Sequence, residues 1–151
     1  MKTRTFVSIL IMFFMVLIIA GSCAMGQETV KAPIEPLYGS WVNPDFNAGG
    51  KQYPKITIRP DGTAEIYGHT DISEGLKGEY TIIDSWIDSD GNKYYKVRAS
   101  LPYGGGWFSN LYELWRLNET DTVFEKFWDG YGYPTEMDPE HARYGIYYRQ
   151  E

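Results

Sequence analysis

From residue 38 to the C-terminus, short runs with apolar side chains at every second position appear repeatedly, separated by Asp-Gly pairs and other turn residues. A period of two sends successive side chains to opposite faces of an extended strand, leaving one face to bury and one in water. No stretch of ten residues after the N-terminal leader sustains a helical period. The chain is therefore committed to strands.

The pattern predicts eight of them, at 38–43, 54–59, 63–67, 78–87, 93–99, 108–117, 122–128 and 143–149. Ile56 and Ile58 share a face of the second, and Ala64 and Ile66 a face of the third. The fourth aligns Tyr80, Ile82 and Trp86, and the fifth Tyr95, Val97 and Ala99. The sixth sets Leu111, Trp115 and Leu117 against Tyr112 and Leu114. Asp61-Gly62 and Asp90-Gly91 offer the positive backbone angles that tight hairpins require. Asn118-Glu119-Thr120-Asp121 turns the sixth strand into the seventh, and a long loop, 129–142, precedes the eighth.

Strands joined mainly by hairpins form an up-and-down meander, and closing the meander on itself removes exposed edges. Eight strands enclose enough space for side chains alone or for one small ligand. The expected fold class is all-β: an eight-stranded up-and-down antiparallel barrel over 37–151, with a two-sheet β-sandwich as the alternative. A domain of about 115 residues can bury a core without disulfides. None can form within this chain, because Cys23 is its only cysteine.

Before residue 37 the character changes. Lys2 and Arg4 precede an apolar run, 6–20, broken only by Ser8 and followed by Gly21 and Ser22. This is the layout of a secretory signal peptide. The run has 15 residues, short of the roughly 20 that a spanning helix needs, so a retained anchor is the lesser reading. Ala20-Gly21-Ser22-Cys23 resembles the bacterial lipobox. That resemblance implies removal of 1–22 and attachment of a diacylglyceryl group to Cys23, with ordinary cleavage after Ala24 as the alternative. Two or three acyl chains would anchor the protein stably where one would not. Segment 23–36 lacks an apolar period, carries Pro33 and Pro36, and reads as a tether. The expected location is the bacterial cell envelope, and Ala24, which is not an Asp-type retention signal, points to the outer membrane over the inner.

Losing Lys2 and Arg4 with the leader leaves 12 basic against 20 acidic residues, a net charge of −8. Nucleic acid is not an expected partner for so acidic a domain. The expected membrane contact is the N-terminal lipid, and a monomer is expected.

Leu37-Tyr38-Gly39-Ser40-Trp41 resembles the Gly-x-Trp opening of lipocalins and lipocalin-like lipoproteins. The resemblance implies that Gly39 lets the first strand start closely packed and that Trp41 closes one end of the barrel. It also implies that Arg149, from the last strand, lies across the Trp41 ring as a cation–π stack. The domain is shorter than a typical lipocalin, and Pro139-Glu140-His141-Ala142 offers at most one helical turn where that family has a helix.

Tyr80, Trp86, Tyr95, Tyr112, Trp115 and Phe127 could line a cavity for a small apolar or amphipathic ligand. Equally, these rings could fill the barrel. Trp107, Trp128, Tyr131 and Tyr133 sit in Gly-rich loops that could contact an envelope protein or a glycan, or fold down as a lid. Asp84, Asp88, Asp90 and Asn92 have the oxygen-rich look of a calcium loop, but Lys93 stands where such a loop needs glycine, so no metal is expected. His69 and His141 are far apart, and no nucleophile elbow, zinc motif or phosphate loop occurs. Glu113, Glu125 and Asp129 are carboxylates that no spacing pairs for glycosidase chemistry. The sequence thus points to a binding module without a cofactor or an enzymatic role. Its ligand would be a small hydrophobic molecule. The alternative is a solid-core interaction lipoprotein.

Overall fold

The computed structural model describes residues 29–45, 54–67, 76–103, 106–130 and 132–151, with backbone alone for 102–103 and 106–109. The signal segment, Cys23, His69 and Tyr131 lie outside the described residues, as does the Trp107 side chain.

A one-turn 3-10 helix, Glu35–Leu37, precedes eight strands. These are β1 (Gly39–Val42), β2 (Lys55–Ile58), β3 (Thr63–Tyr67), β4 (Leu76–Ile87), β5 (Lys93–Tyr103), β6 (Gly106–Leu117), β7 (Val123–Phe127) and β8 (Tyr144–Arg149). Each pairs with the next, and β8 returns antiparallel to β1 through Trp41 opposite Arg149 and Val42 opposite Tyr148. The result is a closed up-and-down barrel, not a sandwich.

Turn chemistry sets the register at one end. Gly62 and Gly91 adopt φ of +81° and +82°, as their Asp-Gly pairs require. Asp88 Oδ1 accepts the N–H groups of Asp90 and Asn92, each at 2.9 Å, so the carboxylate that resembled a calcium ligand is engaged by its own turn. Asn118 Oδ1 does the same for Thr122 and Val123 at 2.8 and 2.9 Å.

This turn end holds a dense aromatic core. The Phe124 ring lies 5.4 Å from Trp41, 5.4 Å from Trp115 and 5.6 Å from Tyr147, centroid to centroid. Burying each such ring contributes roughly 2–3 kcal/mol. Beneath them, the Arg149 guanidinium sits 4.4 Å from the Trp41 ring centroid. It donates to the carbonyls of Asp121 (2.9 Å), Tyr38 (3.1 Å) and Pro36. The Trp41 indole N–H donates to the Leu37 carbonyl at 2.9 Å. Gly39 has φ +128°, and a Cβ there would lie 3.3 Å from Arg149 Nη1. The opening glycine, the tryptophan and the last-strand arginine therefore form one closure.

Residues 30–36, read from sequence as tether, instead pack on the barrel. β3 pairs with β4 only over its first four residues, so the rest of β4 has an uncovered edge. Its Ile87 N–H donates to the Val30 carbonyl at 3.1 Å, and Ser85 Oγ to the Ala32 carbonyl at 3.1 Å. Tyr95 donates to the Pro33 carbonyl at 2.7 Å, Lys31 pairs with Asp84, and Ala32 is buried. An open edge would leave backbone donors unpaired and available to other chains.

Candidate functional site

The two halves of the barrel interior differ. The turn end is filled with rings, whereas the loop end places small residues on its inner wall: Ala64 opposite Gly78, Ala99 opposite Tyr80, and Gly145 opposite Lys126. The connections 46–53, 68–75 and 104–105 lie outside the described residues.

Among the small residues sits a charged group. Glu113 is 1% exposed, and one of its oxygens accepts from Lys126 Nζ at 2.5 Å while the other accepts from Trp115 Nε1 at 2.7 Å. Strand geometry explains the cluster. Glu113 and Trp115 are two residues apart on β6 and face the same side, and Trp115 is opposite Lys126 on β7. The Lys126 side chain keeps 13% exposure. These groups line a cavity of about 20 Å3 with Ile56, Ala64, Ile66, Tyr80, Ala99 and Leu101 on its walls. That volume holds about one water, far below the roughly 300 Å3 of small ligand pockets. The described walls therefore form a narrow, almost wholly apolar cavity, to whose surface the charged atoms of Glu113 and Lys126 contribute very little.

Of the six aromatic residues expected to line a cavity, Tyr80 and Trp115 do so, with rings 5.5 Å apart. The Tyr80 hydroxyl points to the turn end, where it donates to the Arg59 carbonyl at 2.6 Å, and burial pushes its phenol up to about 12. Tyr95 is fully buried in the aromatic core.

Trp86, Tyr112 and Phe127 face outward, which corrects the sequence reading. In β4 the register shifts between Ile82 and Asp84, so one extra residue reverses the alternation. Ser85 then turns inward, and Trp86 stacks outside on Tyr94 with centroids 5.2 Å apart. In β7 the inward phase is Phe124 and Lys126, which leaves Phe127 outside beside Leu114. Both are nonetheless buried, because the β7–β8 connection packs on them: His141 lies 5.2 Å from Phe127, and Tyr133 meets Tyr112 edge-on at 4.8 Å. Arg143 stacks on Trp128 at 4.2 Å. These loop rings are packed against the barrel as a lid on its outer wall.

No protein-family model, no curated protein and no solved structure matches this chain. The site therefore rests on its own geometry. Glu125 faces outward, bonded to Arg116 and Tyr144, so it does not face Glu113 across the wall. Its hydrogen bond to Arg116 holds that guanidinium above the ordinary arginine range. Glu113 stands out in the sequence only as one of several carboxylates that no spacing pairs, and Lys126 does not stand out at all. Their signal was present in the alternation: Glu113 shares the phase of Leu111, Trp115 and Leu117, and Lys126 that of Phe124.

Proposed function

We propose that this chain is a lipid-tethered, lipocalin-like binding protein of the bacterial cell envelope, not an enzyme, which takes a small amphipathic molecule at the loop end of its barrel. The observation that carries this reading is the Glu113–Lys126 pair, held by Trp115 on an otherwise apolar inner wall. A buried ion pair adds little to stability, and well-packed apolar residues in its place are often neutral or stabilising. A charge pair set among small residues on an apolar wall supports this reading, since ligand sites are mostly apolar with a few polar groups. The N-terminal segment reaches the barrel at the turn end, where Val30 meets Ile87. A lipid on Cys23 would therefore tether the closed end and leave the loop end facing away from the bilayer.

The second reading is a solid-core interaction lipoprotein that binds another envelope protein through its loop end. The cavity of about 20 Å3 favours it. A glycan is the poorer partner, because Trp128 and Tyr133 are already stacked on Arg143 and Tyr112.

Native mass spectrometry of the protein purified from its own host separates the two. The first reading expects a bound small molecule that is lost on denaturation, and a bare polypeptide with its lipid would refute it. For the anchor, the Cys23→Ala protein is expected to leave the membrane fraction. Its retention there would refute lipidation.

A further inference from the structure

We infer that the outer wall of β4, β5 and β6 rests on the anionic headgroups of the membrane that carries the anchor. The inference rests on the lipid-tether part of the proposed function and adds a second contact with the bilayer. The chain is acidic overall, yet its described charges are unevenly placed. The inward phase of Gly78 and Tyr80, of Val97 and Ala99, and of Glu113 and Trp115 sends Lys77, Lys96, Arg98 and Arg116 outward. Lys31 joins them from the N-terminal segment by pairing with Asp84 at the border of the wall. These five cations meet three carboxylates there, Glu79, Asp84 and, beneath Arg116, Glu125. Neither Lys96 nor Arg98 forms an ion pair among the described residues. The same wall carries the Trp86–Tyr94 stack, with Lys96 Nζ 5.9 Å from the Trp86 ring centroid, and the exposed Ile83. Trp and Tyr gather at membrane–water interfaces, and Lys and Arg are drawn to anionic lipid. The turn end is the poorer contact, because Asp61, Asp88, Asp90, Glu119 and Asp121 lie in its turns. Its Lys93 is already paired with Asp121, and its Arg149 lies over Trp41. Carboxylates on the opposite wall stand about 10 Å further from the lipid, beyond the Debye length of about 8 Å, and are screened. Val30 follows Cys23 by seven residues, which span at most about 25 Å. The anchor thus delivers the wall to the surface at high effective concentration, and the barrel leans on it with its loop end open to water.

Thr81, opposite Arg98, is exposed on this wall, and Ile146 is exposed on β8 across the barrel. With Cys23 capped by lipid, Thr81→Cys or Ile146→Cys supplies the sole free thiol for a fluorophore. Each protein, processed by and purified from its own host, is placed in vesicles carrying a headgroup quencher. One set is phosphatidylcholine alone, and the other contains an equal amount of phosphatidylglycerol. Phosphatidylglycerol is expected to raise quenching at position 81 several-fold and to leave position 146 unchanged, and high salt is expected to abolish the difference. Adding Arg98→Gln should weaken the docked state about fivefold, the share of one cation at an anionic surface. Equal quenching at the two positions, or no response of position 81 to phosphatidylglycerol, would overturn the docked wall and leave the anchor in place. Quenching unaltered by Arg98→Gln and by salt would overturn the electrostatic basis of the docking. A protein that fails to float with phosphatidylcholine vesicles overturns the anchor, and this inference with it.

Discussion

Replacing Lys126 by methionine isolates what the interior ion pair does for the fold. Methionine matches the length of the lysine stem, so packing is nearly preserved and the change is one of charge. Glu113, 1% exposed, is left with only the Trp115 N–H as a partner. Breaking a buried pair by removing one member costs about 3–5 kcal/mol, because the other charge remains buried without compensation. Lys126 retains 13% exposure and water can partly replace it, which places the expected loss near the lower limit, about 3 kcal/mol. Adding Glu113→Leu removes the stranded charge and leaves only the Trp115 indole N–H unpaired, a penalty of about 1–3 kcal/mol. The double variant should therefore be no less stable than Lys126→Met alone, and more stable by up to about 2 kcal/mol. Urea unfolding at pH 7, followed by tryptophan fluorescence, reads both values from the midpoint at constant slope. A Lys126→Met loss below about 1 kcal/mol, or a double variant as damaged as the two single losses summed, would refute the placement of this pair inside the wall.

Arg149→Ala removes the cation over Trp41 and three bonds to backbone carbonyls; a loss of about 2 kcal/mol is expected in the same assay, with Arg149→Lys recovering only part of it. Gly78→Ala would place a Cβ 2.7 Å from the Ser100 carbonyl oxygen, a backbone atom that cannot rotate away, so thermal unfolding should show a destabilisation of about 1–3 kcal/mol. Burial raises the phenols of Tyr80, Tyr95 and Tyr144 above their usual value of 10.0, that of Tyr80 to about 12. In the unfolded chain these groups release their protons first, so their contribution is complete below pH 10 and is lost as pH climbs from 10 towards 12. Phenolate absorbance should therefore show a late fraction that appears together with unfolding, and smooth titration of every tyrosine near pH 10 in the folded protein would contradict it.

The barrel was legible because its determinants are local. Asp61-Gly62, Asp90-Gly91 and Asn118 each fix a turn through their own backbone angles and hydrogen bonds, and strict alternation does the rest. The Trp41–Arg149 closure was legible only through the resemblance to lipocalins, since the two residues are far apart in the chain. What escaped the reading depends on events that alternation cannot register. A single extra residue after Ile82 reverses the faces of β4 and moves Trp86 outside. Phe127 and Leu114 are buried by a loop folding over the outer wall, so burial there says nothing about the cavity. The packing of 30–36 answers a free edge that exists only because β4 outruns β3. Glu113 and Lys126 occupy inward positions of the alternation, but only the β6–β7 register, which sets Trp115 opposite Lys126, brings them together.

A crystal structure of the protein purified from its own host tests the central claim most directly. The account predicts electron density other than protein within about 3 Å of Lys126 Nζ, continuing from the Glu113 carboxylate towards the loop end of the barrel. A lone water there, with the loops packed down on Leu101 and the inner wall closed, would contradict it.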